Sequence, residues 1–341
     1  MKRDNLPWRA VQSAALHWHE TGAPVSATYD DVYYSQDNGL EESRHVFLNG
    51  NDLPARWLCH PRPHFCIGEL GFGTGLNFLL TWRAWRELSG TRQSGTRPDL
   101  HYLALEKHPL TCADLARALA QWPALAELAE PLLQAYPGPL PGQHRVLLEG
   151  GRVRLDLWWE DAGQSLADLA GRGQPLVDAW YLDGFAPSRN ETMWTHPVLT
   201  AAAALSQPGA SCATFTVAGQ VRRHLTDAGF SVAKVPGYGR KRECLRGVIA
   251  DPPVSGATPD LVPWDLPAAA CERPDSALVV GGGLAGCAVA AALAQRGIAV
   301  TLLEAGELAA AGSGNDQGIL YTRLSRKHSA LTDFALQSFQ F

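Results

Sequence analysis

The stretch FCIGELGFGTGLNFLLTWRAWREL, residues 65–88, decides the fold. An apolar run ends in Glu69-Leu70, three glycines follow at Gly71, Gly73 and Gly75, and a helical pattern starts at once. Glycines at alternate positions let a strand turn sharply into a helix and let a ligand lie against the main chain. Outward from this stretch, further apolar runs recur with helical patterns between them: LHYLALE (100–106), LDLWW (155–159), DAWYLD (178–183), ASCATFTV (210–217) and FSVAKV (230–235). Such alternation predicts a parallel α/β sheet covered on both faces. The residues before it, 1–64, read as an N-terminal extension of short strands separated by Asp37-Asn38-Gly39 and Asn49-Gly50-Asn51.

The chain has 341 residues, 46% hydrophobic and 18% charged, enough for about two domains with real cores. That excludes a disordered tail protein. A net charge of −5 argues against a uniformly basic nucleic-acid binder. Seven cysteines without a C-x-x-C fit neither a disulfide framework nor a zinc ribbon, so a reducing, cytoplasmic setting is expected. MKRDNLPWRAVQ has no apolar run behind its basic residues and does not read as a signal peptide. His17/His19 and His60/His64 lack cysteine or carboxylate company, and no metal is expected. The residues leave the oligomeric state open, and a monomer is favoured.

Six prolines between Asp251 and Ser276 mark a linker. The domain reading is therefore 1–64 extension, 65–250 first α/β domain, 251–276 linker and 277–341 a truncated second domain. In that last part ALVVGGGLAGCAVAAALAQRGIAVTLLEAG carries Gly281, Gly283 and Gly286 after a strand, with Glu304 ending the next strand 23 residues after Gly281. This is a complete dinucleotide fingerprint. It accounts for the charge-free run Ala277 to Ala294, otherwise long enough to imitate a membrane span, as a buried strand, a glycine turn and a helix packed on the sheet.

The first loop has a different spacing, and with acidic Glu69 it suits a phosphate-free ligand bearing an amino acid and a nucleoside. S-adenosylmethionine fits that description, and E-x-G-x-G-x-G resembles the first motif of Rossmann-like methyltransferases. In that fold Glu106 takes the place of the carboxylate that grips the ribose, displaced along the sequence by the insertion at 89–99. Asp161 stands either near the adenine or as a helix N-cap. Asp183, ending the fourth strand in DAWYLDGFAPSRNETMW, is the first choice for catalysis: a carboxylate there can hydrogen-bond an attacking amine and stabilise the ammonium formed. Phe185 and Trp194 offer aromatic surface to a base, whereas Asp178 reads as structural.

Between Val221 and Arg246 seven basic residues face Asp227 and Glu243, a local net of +5 that leaves −10 for the rest. The contrast suggests a polyanion-facing patch around Arg240 and Lys241, with Tyr238 as a stacking aromatic.

Taken in order, DDVYYSQDNGLEESRHVFLNGN, the glycine loop, VDAWYLDGFAP, GYGRKRE, the proline-rich linker and the second fingerprint resemble the bifunctional tRNA 5-methylaminomethyl-2-thiouridine biosynthesis proteins. The resemblance implies a Rossmann-like S-adenosylmethionine-dependent methyltransferase domain followed by a partial FAD-binding Rossmann βαβ unit. It further implies tRNA as partner, S-adenosylmethionine and FAD as cofactors, and two activities on the wobble uridine. These are oxidative removal of a carboxymethyl group and methylation of the resulting aminomethyl nitrogen. Gly71, Gly73, Gly75 and Glu106 match cofactor positions, Asp183 the methyl-transfer site, and Gly281, Gly283, Gly286 and Glu304 the FAD contacts. Asn38–Glu42 and Gly239–Glu243 match family segments without an assigned role. Read from the residues alone, a methyltransferase for a small amine or a protein, and a non-catalytic nucleotide- or tRNA-binding module, stay open.

Overall fold

In the computed structural model the described residues are 11–35, 38–88, 98–171, 174–239, 241–253, 274–315, 318 and 329–340. They belong to two compact units, one within 9–146 and 154–267, the other containing the residues from 268 onward.

The larger unit starts with a three-stranded antiparallel sheet, β1 (Leu16–Trp18), β2 (Pro24–Ser26) and β3 (Asp31–Val32). Beyond it the expectation of strands fails. Asn38 caps a helix Gly39–Ser43, its side chain accepting from the Glu41 amide, and a π-helical stretch Arg44–Leu48 runs into a 3₁₀ turn Asn49–Asn51 and a helix Ala55–Leu58. The Asn-Gly signals serve here as helix cap and helical turn, because an asparagine side chain satisfies free amides at a helix start as readily as it starts a β-turn.

The main sheet contains β4 (His64–Leu70), β5 (Asp99–Glu106), β6 (Gly142–Leu148), β7 (Val153–Trp159), β8 (Val177–Leu182), β9 (Ser206–Thr214), β10 (Ser231–Pro236) and β11 (Glu243–Ile249). Its order is β10-β11-β9-β8-β4-β5-β7-β6. β4 pairs in parallel with both β5 and β8, and β8 with β9. The chain thus leaves β4 towards one side and returns to β8 on the other, which opens a crevice at the carboxyl ends of β4 and β8. The sheet is not wholly parallel: β11 runs antiparallel to β9 and to β10. β6 and β11 went unread because GQHRVLL and ECLRGVI mix polar with apolar residues, the pattern of strands with one wet face.

Side chains alternate across the sheet. Cys66, Leu70, Trp180 and Leu182 pack under helices Ala162–Gly171, His196–Ala204 and Gly219–Asp227. On the other face, Glu69 and Tyr181 meet helix Leu76–Glu87, and Phe47 stacks on Tyr181 at 5.2 Å. At the amino end of β8, Asp178 is buried in an ion pair with Arg62 and accepts the Cys66 amide at 2.8 Å.

Between β5, β6 and β7, buried Asp156 takes two hydrogen bonds from Arg145, both 2.7 Å, and one from His101 at 2.8 Å. Although burial opposes its ionisation, these partners win and hold its pKa down at about 2, below the ordinary 3.8. A depressed carboxylate pKa adds stability at neutral pH that is lost as pH falls through about 4 towards 2. Asp156→Asn should therefore cost about 2 kcal/mol in urea unfolding at pH 7, shrinking near pH 2. An equal cost at both pH values would show that shape, not charge, decides.

The smaller unit has β12 (Ser276–Val280) parallel to β13 (Ala299–Leu303), joined through helix Leu284–Gln295. Strand, glycine turn and helix stand where expected, but not buried: Val280 is 80% and Leu284 75% exposed. A single βαβ layer cannot enclose its own apolar faces. No helix among the described residues is long and apolar enough to cross a membrane.

Candidate methyl-transfer site

The glycine loop is shaped by main-chain conformations that side chains resist. Gly71, Gly73 and Gly75 have φ of +88°, +53° and +68°. A Cβ on Gly71 would stand 2.8 Å from the Asp183 carbonyl oxygen, and its amide donates to Leu105 at 2.9 Å. The turn is thus pinned between β5 and β8. A cavity of about 560 Å³ opens above it, within the ordinary size range of small-molecule sites.

Glu106, at the end of β5, lines the cavity; its carboxylate accepts from the Gly73 amide at 3.0 Å and the His108 amide at 2.8 Å. Burial raises its pKa, and those two amides oppose the rise. Asp161 also faces the cavity, caps helix Ala162–Gly171 by accepting from the Gly163 amide at 3.0 Å, and pairs with Lys107 at 3.2 Å. One side chain thus caps the helix and faces the cavity. Glu69 lies deeper, fully buried below the loop, and reaches the cavity only through a neighbour.

That neighbour is Asn77, in the first turn of helix Leu76–Glu87, which the sequence reading did not single out. Its Nδ2 donates to Glu69 Oε1 at 2.8 Å and to Asp183 Oδ2 at 2.7 Å. Two carboxyl groups therefore share one amide. Asn77 Oδ1 is buried without a hydrogen-bond partner. The signal in the sequence was a lone amide in the apolar run LNFLLTW. Burial, then the nearby Asp183 charge, pushes the Glu69 pKa well above its ordinary 4.5. Asp183 also accepts from the Gly184 amide at 2.9 Å. Its pKa is raised to about 6, burial being opposed first by Asn77, then by Gly184 and Lys241. A carboxyl group titrating near 6 is mostly ionised at neutral pH.

Phe185 stacks on Tyr29 at 4.8 Å and meets Tyr33 edge-on at 5.1 Å, an aromatic wall supplied largely by the N-terminal extension. Asp31 fastens that extension by accepting the Ala186 amide at 3.0 Å. Trp194 is no part of the wall. It is buried in the core and donates to the Phe185 carbonyl at 2.9 Å, because its indole N–H needs a partner that an open base-stacking position would not secure.

Across the cavity, the two segments without an assigned role meet. Asn38 donates to the Tyr238 hydroxyl at 3.0 Å, His45 to the Pro236 carbonyl at 2.9 Å, and Lys241 pairs with Glu42 at 2.8 Å. Tyr238 and Lys241 line the cavity; Arg240 lies outside the described residues. The basic island is less bare than its charge suggests, since Lys234 pairs with Glu243 and Arg246 with Asp52. Among the described residues no group of three or more His, Cys, Asp or Glu could hold a metal.

In the smaller unit Gly281 has φ +101°, and a Cβ on Gly286 would stand 1.8 Å from the Gly281 carbonyl oxygen. Glu304 accepts from the amides of Gly282 (2.5 Å), Ala305 (2.8 Å) and Gly306 (3.2 Å), which lower its pKa.

Residues 123–250 match the S-adenosyl-L-methionine-dependent methyltransferase family, and residues 276–341 the FAD dependent oxidoreductase family. The tRNA 5-methylaminomethyl-2-thiouridine biosynthesis bifunctional protein MnmC of Aeromonas hydrophila subsp. hydrophila is 46% identical over 333 residues, 97% of this chain and 49% of that protein. The chain thus spans about half the length of this curated relative. The crystal structure of MNMC2 from Aquifex aeolicus has the same fold, with a TM-score of 0.54 at 20% identity, covering 76% of this chain and 80% of that one.

Proposed function

Since the chain belongs to the family of tRNA 5-methylaminomethyl-2-thiouridine biosynthesis bifunctional proteins, we propose that its larger unit methylates the wobble uridine of tRNA. The reaction converts 5-aminomethyl-2-thiouridine into 5-methylaminomethyl-2-thiouridine, with S-adenosylmethionine as methyl donor. The observation that carries this reading is Asp183: a carboxylate at the switch-point crevice, aimed by Asn77 and the Gly184 amide, with a pKa raised to about 6.

S-adenosylmethionine supplies, when bound, a methyl group already activated as a sulfonium. The residues fit it: Gly71, Gly73 and Gly75 leave the main chain bare, and Glu106 and Asp161 present carboxylates to the same cavity. The protein's own work is alignment and proton control. Asp183 takes a proton from the substrate ammonium, freeing the nitrogen lone pair for attack. Phe185, with Tyr29 and Tyr33 behind it, supports the uracil ring, and Tyr238 and Lys241 face the RNA. In the smaller unit Gly281, Gly283, Gly286 and Glu304 would hold FAD for the family's oxidative removal of the carboxymethyl group.

Labelled S-adenosylmethionine and tRNA carrying the aminomethyl nucleoside test the proposal. Label is expected in the wobble nucleoside, with binding that weakens steeply as salt rises. Cofactor binding without transfer would instead mark a binding module; equal labelling of a free small amine would remove tRNA as the substrate.

A further inference from the structure

The methyl-transfer cavity is acidic, although its proposed partner is a polyanion. Five carboxylates line it, from Asp31, Glu42, Glu106, Asp161 and Asp183, against two lysines, Lys107 and Lys241. Both lysines are already paired: Lys107 with Asp161 at 3.2 Å and Lys241 with Glu42 at 2.8 Å. The second pair is the better shielded, since the Glu42 side chain is only 13% exposed and the Lys241 ammonium also rests 4.4 Å above the Phe215 ring. Asp183 feels both partners, Lys241 favouring its charge and Glu42 opposing it. Among the described residues the cavity therefore offers a bound carboxylate no unpaired lysine, while it offers a bound ammonium several acceptors.

We propose that Glu42 sets the charge selectivity of the cavity: by neutralising Lys241 it admits a primary ammonium and refuses an amine that already carries a carboxymethyl group. The inference rests on the methyl-transfer reading above and adds a specificity-determining residue to it. Charge pairing of this kind works by rejection, since a carboxylate entering the cavity meets like charges and no cation to pair with. Removing the Glu42 charge frees Lys241 to bind that carboxylate. Removing Lys241 leaves Glu42 bare and sharpens the rejection. The two substitutions must therefore move selectivity in opposite directions, which loss of a merely structural contact would not do.

The test compares two anticodon stem-loop RNAs, identical except for an aminomethyl or a carboxymethylaminomethyl group at the wobble uridine. Equilibrium dissociation constants are measured for the full chain, Glu42→Gln and Lys241→Met. The unaltered protein is expected to prefer the aminomethyl RNA about tenfold or more, roughly the effect of one unpaired charge. In Glu42→Gln the preference should fall several-fold, through tighter binding of the carboxymethylated RNA; in Lys241→Met it should hold or rise. Equal changes for both RNAs in both variants would overturn the role of Glu42. If Glu42→Gln fails to fold, Lys241→Met decides alone, a fall in preference overturning the proposal. A parent protein that transfers no methyl group and binds neither RNA better than an unmodified stem-loop sinks the methyl-transfer reading itself. Normal transfer with unchanged selectivity in the variants sinks only the Glu42 assignment.

Discussion

Asp183→Asn should lower the rate of methyl transfer about 10²- to 10⁴-fold, the usual contribution of a positioned acid–base group, while S-adenosylmethionine binding changes little. An asparagine keeps the shape of the side chain but has one acceptor oxygen, so it retains either the Asn77 or the Gly184 hydrogen bond and turns its NH2 towards the other donor. What disappears is the base. The pH profile gives the sharper signature. With a pKa of about 6, Asp183 is protonated and idle below that value and ionised above it. The rate of the parent enzyme should therefore climb about tenfold per unit below the midpoint and level off above it; that limb should vanish in Asp183→Asn. Equal losses in cofactor binding and rate would reassign Asp183 to holding the site together.

Asn77→Ala should be the most damaging single change that leaves every charged residue in place. It removes the one amide that both Glu69 and Asp183 use and leaves buried carboxyl oxygens without a donor. Orphaned buried polar groups cost about 1–3 kcal/mol each, so a loss of about 3 kcal/mol in unfolding free energy is expected. Catalysis should suffer in a distinct way. Asn77 is the foremost influence holding the Asp183 pKa down against burial, so its removal should move the midpoint of the rate profile above about 6. Calorimetry and a pH–rate series on the surviving folded protein read the two effects separately. Lost stability with an unmoved midpoint would make Asn77 a packing residue only.

The local devices were legible because each is written in neighbouring residues. A glycine loop between an apolar run and a helical pattern, carboxylates ending strands, and the spacing of Gly281 to Glu304 need no knowledge of what lies across the sheet. Errors arose where one signal serves two structures or one side chain has two possible surroundings. Asn38-Gly39 reads equally as β-turn and as helix cap, and the choice fell to a helix packed against helix Leu76–Glu87. Trp194 is aromatic wherever it stands, and whether it faces a base or a core depends on helices that arrive later in the chain.

By itself, then, the sequence determined the α/β alternation, the position of the two glycine loops and the carboxylate proposed as base, since strand periodicity, glycine conformations and strand ends are local properties. Only the tertiary structure decided which groups act on one another. Asn38 and Tyr238 are 200 residues apart yet hydrogen-bonded, Asn77 joins two carboxyl groups from different strands, and Glu42 neutralises a lysine of the distant β10–β11 hairpin. Hydrogen bonds and ion pairs depend on distances of a few ångströms, and for residues so far apart in the chain those distances exist only once the sheet has brought its strands together.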